Sequence, residues 1–258
     1  MTLPEKQKDG SFANRSVERN IKEEQVNYQI EGTQYEGYIY HNEAQKGKRP
    51  AILVVHEWWG LNDYSRSRAK ELAELGYISM AVDMFGNGKT AEDPASAQTL
   101  ATPFYKNPSL AKKLLDPAIE LIKTYPETDG KKIAAIGYCF GGYVVLNAAK
   151  LGADLVGVVS FHGSLGGAKP EKGKVKAEML VCHGAEDPMA NPDVDQFKKD
   201  MNEANIDYAF EVYADATHAF SNPNATAKGK KYNMPIKYNE AADKASWNHM
   251  KQFFKKIF

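Results

Sequence analysis

Cysteine is scarce in this chain. Two occur in 258 residues, Cys139 and Cys182, which excludes a disulfide-built scaffold and a four-cysteine zinc site. Charge of one sign is missing as well: 33 Lys plus Arg balance 33 Asp plus Glu. A nucleic-acid binder normally carries a basic excess, so no nucleic-acid partner is expected. No apolar run approaches the roughly 20 residues that a membrane helix needs, so no membrane partner is expected either. Repeats, low-complexity tracts and Gly/Ser- or Pro-rich linkers are absent. Residues 1–258 therefore read as one domain, with 1–30 an N-terminal extension and first strand. The opening MTLPEKQKDG has no apolar stretch and is not an intact secretory signal; the expected location is cytoplasmic.

Apolar residues make up 43% of the chain and charged residues 26%, ordinary for a globular protein. Mean hydropathy is −0.53, so a core must come from pattern. Glu24–Ile30 and Gln34–His41 alternate and flank a Glu31-Gly32-Thr33 turn, the mark of an antiparallel pair. Beyond them the period changes. Ala51–Val55, Tyr77–Val82, Lys132–Ile136, Leu155–Phe161, Met179–Val181 and Tyr208–Tyr213 are short apolar runs, as in strands buried on both faces. Helical spacing appears at Tyr64–Leu75, at Leu114, Leu115, Ile119 and Ile122, at Phe140–Lys150 and at Asp193–Asn205. Pro117 marks a kink or a start. Trp247, Met250, Phe254 and Ile257 form one face of a C-terminal helix. Ala225–Lys231 reads as a solvated loop. This alternation predicts an α/β fold, a mostly parallel central sheet with helices on both faces. Ligands of such a sheet sit at the carboxyl ends of its strands.

The strongest motif is Ile136-Gly137-Tyr138-Cys139-Phe140-Gly141-Gly142, between a predicted strand and a predicted helix. Small residues at −2 and +2 around Cys139 give the spacing of a nucleophile elbow, with Cys in place of Ser. The elbow sets the thiol at a helix N-terminus, whose partial positive charge favours a thiolate, and points the Phe140 N–H toward the reacting centre. In chain order an acid and a base should follow. Asp187 lies in His183-Gly184-Ala185-Glu186-Asp187-Pro188 after one strand, and His218 in Ala214-Asp215-Ala216-Thr217-His218 after the next. Glu186 stays open as the acid; Asp215 is only three residues before the histidine. A free thiol is only about 3% thiolate at pH 7, so a base held in one tautomer would raise that fraction and later protonate the leaving group.

Gly-Tyr-Cys-Phe-Gly-Gly, His-Gly-Ala-Glu-Asp-Pro, Ala-Thr-His-Ala-Phe and the opening Val54-Val55-His56-Glu57-Trp58-Trp59-Gly60-Leu61-Asn62 resemble the dienelactone hydrolase family of α/β-hydrolases, over roughly Tyr35 to the C-terminus. The resemblance implies an α/β-hydrolase fold and a Cys139–His218–Asp187 triad. It implies that Glu57 contacts the resting thiol and accepts its proton, and that the N–H groups of Trp58 and Phe140 form the oxyanion hole. It implies cleavage of an ester or lactone through a thioester acyl-enzyme, with no cofactor. Family members that act on dienelactone carry arginines near the pocket. This chain has none after His218 or after Val82; Lys89 is the nearest cation, a flexible point charge. Trp58, Trp59, Tyr138, Phe140 and Phe85 suit a neutral acyl ester, and His162 is expected to line the pocket wall.

Other readings fit less well. Cys182 sits in an apolar strand as a core residue, and no C-x-x-C supports a redox pair with Cys139. His56, His162 and His183 lack metal-ligand spacing, so no metal is expected. G-x-x-x-G-G is not a dinucleotide loop. A phosphoryl-ester hydrolase using the same cysteine, and a non-catalytic binder on the same fold, remain alternatives. The expected assembly is a monomer or a homodimer.

Overall fold

The computed structural model describes residues 20–258, so the MTLPEKQKDG opening and most of the expected extension lie outside the described residues. In chain order the strands are β1 (Ile21–Ile30), β2 (Thr33–Asn42), β3 (Arg49–Val55), β4 (Ile78–Val82), β5 (Thr128–Tyr138), β6 (Gly157–Phe161), β7 (Glu178–Gly184) and β8 (Tyr208–Tyr213). The helices are α1 (Asp63–Glu74), α2 (Pro94–Lys106), α3 (Ser109–Lys123), α4 (Phe140–Lys150), α5 (Val194–Glu203), α6 (Ala225–Tyr232) and α7 (Glu240–Ile257). They build one eight-stranded sheet in the spatial order β1-β2-β4-β3-β5-β6-β7-β8. β1 and β2 pair antiparallel, as do β2 and β4; every other neighbour is parallel. The mostly parallel α/β architecture is thus present, and no helix among the described residues is long and apolar enough to cross a membrane.

The elements follow from local chemistry. Glu31 and Gly32, both at positive φ (50° and 81°), make the two-residue turn that suits the right-handed twist of a hairpin. β4 and β6 are buried at every position, as strands covered on both faces must be. One face packs Ala69, Leu72 and Ala73 of α1 and Met250 and Phe254 of α7. The other packs Leu115, Ile119 and Ile122 of α3, the Val144–Leu146 stretch of α4, and Phe197 and Met201 of α5. β3 is followed by α1 and β4 to one side, while the chain returns through α2 and α3 to β5 on the other. The carboxyl ends of β3 and β5 therefore flank the topological switch point, where open sheets of this kind leave a crevice.

α2 gives little helical signal in sequence because Pro103 lies inside it; a reciprocal Asp93–Ser96 capping box starts it, with Pro94 in its first turn. Pro117 lies within α3, where a kink and not a start is the reading that fits. One local expectation needs correction. Ala225–Lys231 is not a loop: it is α6, closed by Asn233 in the left-handed conformation.

The turn from β5 into α4 is the tightest backbone approach in the fold. A Cβ on Gly141 would lie 2.2 Å from the Val55 carbonyl oxygen and 2.7 Å from that of His56, and one on Gly137 would lie 2.0 Å from the Gly141 oxygen. None of these contacts is with a movable side chain. Gly141→Ala is expected to cost about 3 kcal/mol and to lower Tm by roughly 6–12 °C, read by thermal denaturation.

Candidate active site

The last residue of β5 feeds Cys139, which stands at φ 52° and ψ −113° and caps α4. Such a backbone is costly for a non-glycine residue and persists only where its surroundings hold it. Two acceptors hold it: the Cys139 N–H points at the Phe161 carbonyl (3.0 Å) and at His162 Nδ1 (3.1 Å). Its side chain is the part-exposed one of the two cysteines. Sγ lies 3.0 Å from His218 Nε2, and His218 Nδ1 lies 2.8 Å from Asp187 Oδ2. The other Asp187 oxygen accepts the N–H groups of Met189 (2.9 Å) and Ala190 (3.2 Å), which pins the carboxylate and leaves Oδ2 to the imidazole. Glu186 and Asp215 are exposed, whereas Asp187 is wholly buried; the structure brings Asp187, and not those two, to His218.

Charge balance follows from that geometry. Burial pushes the His218 imidazole down, but the charge of Cys139 and the hydrogen bonds to Asp187 and Cys139 outweigh it and raise it well above its ordinary value. Burial raises Asp187, and its hydrogen bond and attraction to His218 bring the net below the usual carboxylate range. The neutral imidazole can take a proton from sulfur, the imidazolium so formed is held between two acceptors, and it can return a proton to a leaving group.

Glu57 follows β3 and is 3% exposed. Burial raises its carboxyl, opposed by the charge of Lys228, by the Asn222 hydrogen bond and by the charge of His218. Glu57 and Cys139 line the same cavity. Glu57 Oε2 accepts from Asn222 Nδ2 at 2.6 Å while the sulfur faces His218. Its neighbour His56 is wholly buried, donating from Nδ1 to the Glu57 carbonyl (2.6 Å) and accepting the Met84 N–H at Nε2 (3.1 Å). Burial lowers its pKa, so it stays neutral and locks the turn. His183 bonds Asn191. Among the described residues no three His, Cys, Asp or Glu side chains are grouped to hold a metal. The N–H groups of Trp58 and Phe140 have no hydrogen-bond partner among the described residues, and Phe140 opens α4, where amides are unpaired by geometry.

These groups share a cavity of about 210 Å³ whose wall includes Glu57, Trp58, Trp59, Cys139 and His218. Four expected wall residues are elsewhere; Phe140 keeps its ring in the core against Phe104. Tyr138, one residue before Cys139 on an extended strand, points to the opposite face. It is fully buried, stacked on Phe161 (4.7 Å) and edge-on to Tyr64. Phe85 packs into the core against His56, Phe104 and Phe140. His162 lies behind the nucleophile. Because Nδ1 accepts from Cys139, Nε2 carries the proton to Ser221 Oγ at 2.7 Å. Burial and the nearby His218 charge hold it well below its usual pKa, hence neutral. Lys89 is exposed and outside the wall. Sequence reasoning missed Gln98 and Tyr105 of α2 and Met234 and Ile236 beyond α6. Only the backbone bridge between His218 and Ile236, a long-range pairing, brings the last two there. A larger cleft, about 580 Å³, opens between β7, β8 and α7, but its wall holds no cysteine or serine.

The comparisons agree with this geometry. The family model described as the dienelactone hydrolase family matches residues 35–258. Protein usf of Aquifex pyrophilus is 27% identical over 237 residues, covering 89% of this chain and 96% of that protein. A putative carboxymethylenebutenolidase of Aquifex aeolicus is 29% identical over 204 residues, covering 76% of this chain and 86% of that one. Among solved structures, a dienelactone hydrolase-like promiscuous phosphotriesterase from metagenomic libraries is 30% identical, with a TM-score of 0.86, covering 93% of this chain and 99% of that one.

Asp187 and His218 also link stability to pH. The lowered Asp187 stabilises the fold above its unfolded pKa, about 3.9, and loses that contribution as pH falls through its folded value. The raised His218 stabilises below its unfolded pKa, about 6.5, and loses it as pH rises through its folded value. Asp187→Asn keeps an oxygen for the two N–H groups but removes the charge. Its Tm deficit against the native protein is expected to be large at pH 6 and to shrink steadily below about pH 4, read by thermal melts across pH.

Proposed function

The chain belongs to the dienelactone hydrolase family, and on that premise we propose that it cleaves a carboxylic ester or lactone with Cys139 as nucleophile, His218 as general base and acid, and Asp187 as the group that fixes the imidazole. The observation that carries the reading is the unbroken hydrogen-bond line from Cys139 Sγ through His218 to Asp187, 3.0 and 2.8 Å, at the mouth of a substrate-sized cavity.

In the proposed cycle His218 Nε2 takes the thiol proton as sulfur attacks the carbonyl carbon. The C=O π pair moves onto oxygen, where the N–H groups of Phe140 and Trp58 receive it; one such donor lowers the barrier by about 3 kcal/mol. Collapse reforms the carbonyl and breaks the C–O bond, and the alkoxide leaves with the proton from His218. Water, deprotonated by His218, then attacks the thioester and releases the acid, returning the proton to sulfur. Asp187 keeps Nδ1 protonated throughout and is not itself a proton carrier. Glu57, with Asn222 on its carboxylate, lines the same cavity beside this path. A second reading, attack of the same sulfur on a phosphotriester, is favoured by the likeness to the promiscuous phosphotriesterase.

Incubation with 4-nitrophenyl acetate should give turnover and an acetyl adduct on Cys139 by intact mass. Cys139→Ala should lose both, with hydrolysis down by at least about 10³-fold; an alanine variant of full activity would overturn the mechanism. An adduct formed only with a phosphotriester would select the second reading.

A further inference from the structure

Among the described residues the cavity wall contains no lysine or arginine. Its ionisable members are Glu57, Cys139, His218 and Tyr105. Cys139 and His218 exchange a proton between themselves, so as a pair they present no net charge in either form. The remaining charge-bearing group on the wall is the carboxyl of Glu57, where burial raises the pKa against the opposing Lys228 charge and Asn222 hydrogen bond. The hydrogen bonding around it favours the carboxylate. Asn222 Oδ1 is taken by the Asn224 N–H at 2.9 Å, so the amide cannot flip and Nδ2 must face Glu57 as a donor, at 2.6 Å. Loop and helix geometry thus place a full acceptor, ringed by Trp58 and Trp59, where an acyl or leaving group would lie.

The cation nearest this arrangement stands outside the wall. Lys228 of α6 lies 4.1 Å from the centroid of the Trp59 ring, a cation–π distance. Tyr232, one turn further along α6, stacks on the same tryptophan and donates to the Glu92 carbonyl (6.0 Å between centroids; 2.6 Å). Trp59 thus separates the ammonium from the cavity. The lysine still reaches Glu57 electrostatically: its charge is the foremost of those that oppose the burial of that carboxyl, and Glu57 in turn supports the ammonium against its own partial burial. The lysine tempers the negative wall without offering a hydrogen bond to a bound anion.

Resting on the hydrolytic reading of this cavity, we propose that Glu57 is its charge-selectivity residue: the site accepts uncharged esters and rejects esters whose acyl part carries a carboxylate, and Lys228 behind Trp59 sets how strongly. At an effective dielectric near 20, like charges several ångströms apart change binding by about tenfold or more.

Two esters of similar length separate charge from shape: 4-nitrophenyl pentanoate and 4-nitrophenyl hemisuccinate. The native protein should favour the pentanoate in kcat/KM by at least about tenfold. Glu57→Gln should narrow that preference by about tenfold, and Lys228→Met should widen it. The same ratio can be read without turnover, by alkylating Cys139 with iodoacetate and iodoacetamide; Cys182 is fully buried. The anionic-to-neutral rate ratio cancels any general change in thiol reactivity. It should rise in Glu57→Gln and fall in Lys228→Met. Ratios within about twofold of native in these variants overturn the proposal, and if Glu57→Gln does not fold, an unchanged Lys228→Met ratio does so. Alkylation ratios that shift as expected while neither ester nor any other is cleaved would remove the hydrolase reading and leave the charge selectivity standing.

Discussion

The backbone contact between the start of α4 and the end of β3 governs the rest of this molecule. Gly141 sits against the Val55 and His56 carbonyls and Gly137 against Gly141 itself, so the chain can turn from strand to helix within a single residue. That residue is Cys139, and the turn forces it to positive φ. Strain of this kind survives only when neighbours over-determine it. Here the neighbours are the Phe161 carbonyl and His162, one on the adjacent strand and one just past it. The sulfur is consequently fixed in place before any substrate arrives.

A second, polar layer fixes the base. The loop after His218 carries Ser221, whose Oγ meets His162 (2.7 Å) and the Tyr64 hydroxyl (2.8 Å), while its carbonyl receives Arg68 (2.8 Å). Arg68 is itself held by Asp243 of α7 and Glu71 of α1. One residue on, Asn222 ties the loop to Glu57. Four residues of loop thus join α1 and α7, on one face of the sheet, to the nucleophile. A buried network of this kind contributes little where one partner is lost and much where all are present.

The order of strands, the elbow and the Cys139, Asp187 and His218 set were legible in sequence because each depends on local rules: buried runs of strand length, small residues at fixed offsets, and loops at the carboxyl ends of strands. Tyr138 was misplaced although the strand rule applies to it; alternation across the last residue of β5 sends it away from the cavity. Phe85 and His162 were misplaced because position along the chain says nothing about which layer a turn residue enters. Lys228 was read as solvated because α6 has weak propensity, with Thr226 and Gly229 inside it; packing on Trp59 overrides that. Tyr105, Met234 and Ile236 reach the wall only through tertiary contacts that no spacing reports. The Asn222 hydrogen bond to Glu57 was not foreseen, since no spacing joins the two residues.

β8 is the outermost strand and pairs with β7 alone, yet the loop that follows it carries His218. Segments at such margins open at far smaller free energy than the interior. A transient fraying there would withdraw the imidazole while the elbow, deep between β3 and β6, kept its shape. The Ser221 and Asn222 contacts to His162 and Glu57 oppose such fraying, so the imidazole's place depends on side-chain bonds and the sulfur's on the backbone.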